Sequence, residues 1–126
     1  MNTVAVDTQT MLKRFRIIEE KKDGLVEKVE QFFNARSGGP KVPVKRAQLQ
    51  NLLRLALATS SVKEIQLFIR YQQGRDSKWK SGGFGQTLES AIQTVADEEP
   101  HSEVRIDLVR LFIGYLVREA RFHRQD

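Results

Sequence analysis

Two groups of residues in this chain have types and spacing that invite a chemical reading. The first is YQQGRDSKWKSGGFGQ, residues 71–86, which joins Arg75, Lys78 and Lys80 to the only tryptophan, Trp79, and to four of the eight glycines. Cationic side chains seek phosphate, a free aromatic face stacks on a base, and glycines let backbone amides approach a strand closely. Trp79, between two lysines, reads equally as such a stacking face or as a plug folded back onto a core; Phe84 reads as a plug. The GGFG run is no nucleotide cradle. A phosphate loop sets its Lys and Ser/Thr after the glycines, between strand and helix, and here Lys80 and Ser81 come first. The second group, Asp97, Glu98 and Glu99, has the chemistry to bind a hard cation. It lies at a helix C-terminus, where negative charge is unfavourable, so a solvated or partner-facing role is the better reading. With two histidines, His101 and His123, and no cysteine, no metal-ligand set and no Ser–His–Asp arrangement can be assembled. A non-catalytic protein without cofactor or metal is expected.

The charge pattern points to a partner. Net charge is +5 over 126 residues, but it is not evenly spread. Residues 1–33 carry six basic and six acidic side chains, residues 34–80 carry ten basic against Glu64 and Asp76, and residues 86–107 carry six acids against Arg105. Such a dipolar layout predicts one face for a polyanion and another for something basic. The candidate cations are Arg36, Lys41, Lys45, Arg46, Arg54, Arg70, Arg75, Lys78 and Lys80.

These residues need a scaffold, and its periodicity is helical throughout. Asp7 is placed to cap a first helix with Met11, Leu12, Phe15 and Ile18 on one stripe. Gly24 is expected to interrupt or bend it before Leu25, Val29, Phe32 and Phe33 resume the spacing. SGGPKVP, residues 37–43, breaks the chain, and Pro43 suits the first turn of a second helix bearing Leu49, Leu52, Leu53 and Leu57. SVKE, residues 61–64, has capping-box spacing ahead of Ile65, Phe68 and Ile69. Gly74 is expected to end that third helix in a left-handed conformation, with Arg75 at the negative end of its dipole. A fourth helix starts near Gln86 with Leu88, Ile92 and Val95 inward. Ser102 caps a fifth that is apolar on two sides and therefore central: Val104, Leu108, Leu111, Phe112, Tyr115 and Leu116 on one, Ile106, Val109 and Ile113 on the other. The fold class is all-α, a compact bundle of about five helices in a single domain over residues 1–126, with N-terminal helices in 8–36 and a core over 44–124. At 40% hydrophobic and 29% charged residues, with no apolar run of membrane-spanning length and no signal-peptide segment, a cytoplasmic protein is expected and a membrane is not.

Residues 44–124 resemble the small helical subunit of type III-A (Csm-type) CRISPR interference complexes. The resemblance is carried by KRAQLQNLLRLA (45–56), by IQLFIRYQQGR (65–75), where Tyr71, Gly74 and Arg75 match an aromatic-x-x-Gly-Arg ending, and by LVRLFIGYLVREARF (108–122). A basic residue frequent in the family two positions before the second leucine of the first segment is Gln50 here, which shifts that role to Lys45, Arg46 or Arg54. The resemblance implies a helical bundle without catalytic activity that stacks head to tail with copies of itself and joins the other effector-complex subunits. It also implies contact with the backbone of the guide RNA and target RNA through basic side chains. The RNA-binding residues expected are Lys41, Lys45, Arg46, Arg54, Arg70, Arg75, Lys78, Trp79 and Lys80. Lys78, Trp79 and Lys80 are expected to face the nucleic acid or the next subunit.

Two other readings compete. A helix-turn-helix-like DNA-binding regulator fits the two helices around residues 43–59 and 61–73, but Ile65, Leu67, Phe68 and Ile69 leave the second too few polar positions to read a groove. A helical adaptor that binds only protein would use the charge asymmetry for assembly alone.

Overall fold

A computed structural model describes the backbone of residues 3–35 and 41–124 and the side chains of residues 8–34 and 41–124. It is an all-α bundle: α1 (Thr3–Ala35), α2 (Arg46–Ala58), α3 (Val62–Arg75), α4 (Phe84–Asp97) and α5 (Ser102–His123), with short 3-10 turns at Ser77–Trp79 and Ser81–Gly83. No strand occurs among the described residues. Arg36 and most of the break at 37–43 lie outside them.

Side-chain contacts fix the helix directions. Arg14 in α1 pairs with Asp107 near the start of α5 at 2.6 Å, and Phe33 meets His123 at the far ends of the same two helices, with 4.9 Å between ring centroids. These helices therefore run parallel. α4 opposes α1: Phe84 at its start lies 5.4 Å from Phe32, and Glu98 beyond its end reaches Lys28 at 3.1 Å. α3 opposes α4, since Gln66 donates to Gln93 at 2.9 Å and Gln73 to Glu89 at 2.8 Å. α2 opposes α5: Arg110 donates to the carbonyls of Ala56 and Thr59 (2.9 and 2.8 Å), and Arg124 to that of Val44 (2.9 Å). The consequence matters for everything below. The end of α1, the start of α2, the end of α3, the start of α4 and the end of α5 share one pole of the bundle.

The periodicity of α2 to α5 translates into burial. Leu49, Leu52, Ile65, Ile69, Leu88, Ile92 and Val95 lie in the core, each contributing on the order of 1.5–3 kcal/mol by leaving water. α5 buries Val104, Ile106, Leu108, Val109, Phe112, Ile113, Leu116 and Ala120, so it is central as its two apolar sides require. Leu57, at the end of α2, is exposed. Ser61 Oγ accepts the Glu64 amide at 3.0 Å, half of the expected capping box. The Ser61 amide goes to Thr59 Oγ1 at 3.0 Å instead of to Glu64.

Several helix boundaries differ from the sequence expectation. α1 passes through Gly24 without a break; an interior glycine costs only about 1 kcal/mol, and Leu25, Val29, Phe32 and Phe33 are buried just beyond it. Asp7 lies inside α1, which begins upstream at Thr3. Pro43 precedes α2 instead of opening it, and Val44 beside it is buried before the helix begins at Arg46. His101, not Ser102, occupies the cap of α5 and gives no side-chain bond, its ring being held by Glu99 at 2.9 Å.

The largest departure is the first stripe of α1. Met11, Leu12 and Phe15 are 67%, 58% and 63% exposed, while Ile17 and Ile18 pack against the core. α4 ends level with Lys21, which donates to the Glu98 carbonyl at 3.3 Å. Upstream of that level α5 meets α1 through Arg14.

Candidate nucleic-acid interface

The loop after α3 resolves its own ambiguity. Asp76 leaves the helix in extended conformation and its side chain accepts the Lys78 amide at 3.0 Å. That local bond tightens the chain into a 3-10 turn, which swings Trp79 inward. Trp79 is 0% exposed and sits edge-on between Phe68 and Phe84, with centroids 6.4 and 6.1 Å away. The expected role of Trp79 as an RNA-stacking residue is therefore corrected: the side chain is wholly buried among core aromatics. Phe84 is likewise buried, as a plug. The glycines serve this packing. Gly82 and Gly83 have φ of 59° and 73°, and a Cβ on Gly85 would lie 2.6 Å from Gln73 Cγ and 2.9 Å from the Trp79 carbonyl oxygen. Gly74, by contrast, stays inside α3, which ends on extended Asp76, so the left-handed stop expected at Gly74 does not occur.

The cations stand outside. Lys41, Lys45, Arg46, Arg54, Arg70, Arg75, Lys78 and Lys80 are all exposed. Of Lys45, Arg46, Arg54, Arg70, Arg75, Lys78 and Lys80, Arg70 alone holds a carboxylate among the described residues, Glu89 at 3.2 Å. Arg54 donates to Asn51 at 2.8 Å, and Arg75 to Gln72 at 3.3 Å while lying 6.0 Å over the Tyr71 ring. Helix directions gather Lys41, Lys45, Arg46, Arg75, Lys78 and Lys80 at the shared pole. Arg54 and Arg70 are not brought there: at 1.5 Å per residue they sit about 12 Å along α2 and about 7 Å short of the end of α3.

The pole also receives side chains that sequence reasoning left out: Arg121 in the last turn of α5 and Arg124 just past it, with Arg118 about 7 Å before that end. Their signal was the arginine-rich tail REARFHR, where Arg118 and Arg121 have i, i+3 spacing. At the start of α2 the macrodipole adds to this charge. Lys45 is the cap residue, no side chain caps the helix, and its first turn holds no acid, so a positive helix end and two cations coincide.

Part of the acidic block is engaged by the chain's own cations. Asp107 holds Arg14 and Arg110, Glu98 holds Lys28, and Glu99 accepts from His101 and lies 3.8 Å from Lys21. The packing of α1 against α4 and α5 brings the Arg14, Lys21 and Lys28 contacts together. Burial pushes the Glu99 carboxyl up, but the His101 ring, the His101 amide and Lys21 outweigh it and leave the group below its ordinary value. Asp97 accepts from Gln93 at 2.8 Å, so the three neighbouring carboxylates are bound apart. Among the described residues no group of His, Cys, Asp or Glu could hold a metal ion, and no helix is long and apolar enough to cross a membrane.

As a recognition helix α3 is poorly placed. Ile65, Gln66, Ile69 and Gln72 are buried, and Arg70 and Gln73 are engaged by Glu89. What remains is a positive pole with phosphate-seeking groups and no base-reading array. No family model, no curated protein and no solved structure matches this chain.

Proposed function

We propose that this chain is a non-catalytic RNA-binding subunit of a type III CRISPR RNA-guided effector complex, stacking in several copies and gripping the guide–target RNA backbone through its basic pole. The observation that carries the reading is the asymmetry of charge pairing: Glu98, Glu99 and Asp107 at one end of the bundle are held by cations of the chain, whereas Lys45, Arg46, Arg75, Lys78 and Lys80 at the other hold no carboxylate among the described residues. The family resemblance over residues 44–124 supplies the identity of that anion. Exposed Met11, Leu12 and Phe15 on α1, with Leu67 and Tyr71 on α3, support a protein contact as copies stack.

The test is fluorescence polarisation with labelled RNAs of unrelated sequence, single-stranded and in guide–target duplexes, over a range of salt. Binding by the lone subunit is weak, salt-sensitive and nearly independent of base sequence. Replacing Lys45, Arg46 and Arg54 together by glutamine weakens it for every RNA. Tight binding of one sequence with the others ignored would overturn the backbone-contact reading.

A further inference from the structure

Toward the basic pole, the C-terminal end of α5 and the start of α2 border a concavity of about 300 Å³ lined by Arg46, Arg118, Arg121 and Arg124, with Gln50 beside them and Leu49 in its wall. Among the described residues no carboxylate lines it. Glu119, the nearest acid along α5, is turned away and bound to His123 at 2.9 Å, on the side of the helix that meets α1 through Phe33. Two of the arginines are held in place: Arg124 by its bond to the Val44 carbonyl at 2.9 Å, and Arg118 by the Tyr115 ring, 5.7 Å below its guanidinium. Arg46 and Arg121 have no ion-pair partner among the described residues. Four like charges around one hollow repel one another unless an anion sits among them. Guanidinium groups are suited to phosphoryl oxygens, which they bind through paired N–H donors, and the uncapped start of α2 directs further positive potential into the same space.

We infer that this arginine-lined cleft is a discrete phosphate-binding site, which seats one phosphoryl group with its adjoining sugar against the apolar wall. It rests on the RNA-binding reading only in the source of that phosphate. A backbone phosphate of the bound strand and a free phosphate or mononucleotide present the same chemistry. The site goes beyond a diffuse basic face, because four side chains from segments about 70 residues apart in sequence converge on one volume.

The experiment follows the melting temperature of the full chain in inorganic phosphate, in a nucleoside monophosphate and in chloride at matched ionic strength. Phosphate raises the melting temperature by several degrees over chloride, as preferential binding to the folded state requires. The variant R118Q/R121Q loses that increment, whereas R16Q/K63Q, which removes two exposed charges at a distance, retains it. Polarisation with labelled RNA identifies the source. If the strand supplies the phosphate, R118Q/R121Q weakens RNA binding about tenfold and lowers the slope of log affinity against log salt by about 1–2. A mononucleotide response without RNA binding assigns the site to free phosphate and removes the RNA reading alone. Absence of any phosphate increment in the wild-type chain, or its equal loss in R16Q/K63Q, overturns the site. Should R118Q/R121Q fail to fold, R121Q alone serves, since Arg121 makes no contact that the fold requires.

Discussion

Replacing Trp79 by alanine separates the two roles open to the loop. The side chain is wholly buried, and truncation removes its edge contacts with Phe68 and Phe84. Large-to-small changes of this kind cost about 3–5 kcal/mol when the site cannot collapse, and Gly85, packed against the Trp79 carbonyl, leaves little freedom for collapse. One term works the other way. Among the described residues Trp79 Nε1 has no hydrogen-bond partner, and an unsatisfied buried donor costs about 1–3 kcal/mol, so the lower half of the range applies. For a chain of this length, about 3 kcal/mol corresponds to a fall of roughly 10–15 °C in melting temperature. Trp79→Phe, which keeps a ring and deletes the orphan N–H, falls much less. The assay is thermal denaturation by circular dichroism at 222 nm, paired with RNA polarisation at a temperature where each variant is folded. A Trp79→Ala melting temperature within about 2 °C of wild type, together with lost RNA binding, would refute the reasoning and return Trp79 to the surface.

Gly85→Ala destabilises by about 1–3 kcal/mol because the new methyl meets backbone and the Gln73 side chain. Gly24→Ala, with nothing within 4 Å of the new Cβ, stabilises by up to about 1 kcal/mol; urea denaturation checks both. Lys78→Ala with Lys80→Ala leaves the melting temperature unchanged and weakens RNA binding for all sequences, as read by polarisation. Glu99 is depressed in the folded state, so its contribution to stability is complete above its ordinary value of 4.5 and is lost as pH falls through the lower folded value. Glu99→Gln therefore lowers stability at neutral pH and flattens the acid limb of a stability–pH curve below about pH 4.5.

The helices were legible because burial and period coincide: Leu49 and Leu52, Ile65 and Ile69, and the two apolar sides of α5 each read directly as core. Met11, Leu12 and Phe15 have the same spacing and are exposed, since period reports an apolar stripe but not whether another helix reaches it. Trp79 was undecidable for a related reason. A 3-10 turn set by one Asp76 bond has no period, and its direction depends on Phe68 and Phe84 waiting on other helices. The cations of α2 and the loop were visible as a charge run. Their arginine neighbours on α5 were not, because only the antiparallel packing of α2 on α5 brings the two segments together. The same packing logic hid the fate of Glu98, Glu99 and Asp107, which the charge run presented as free and which cations of α1 reach.

The parallel pairing of α1 with α5 also sets an order of events during synthesis. α1 is the first helix made, and the helix it packs against most extensively is the last. Close to 70 residues separate the end of one from the start of the other, and at ribosomal rates they take roughly 4–14 s to translate. A helix forms in about a microsecond, so α1 spends nearly all of that interval formed but unpartnered, with Leu25, Val29, Phe32 and Phe33 facing water. Such a surface is what holding chaperones recognise on a nascent chain. The earliest element of this bundle thus stays vulnerable until the final one leaves the ribosome.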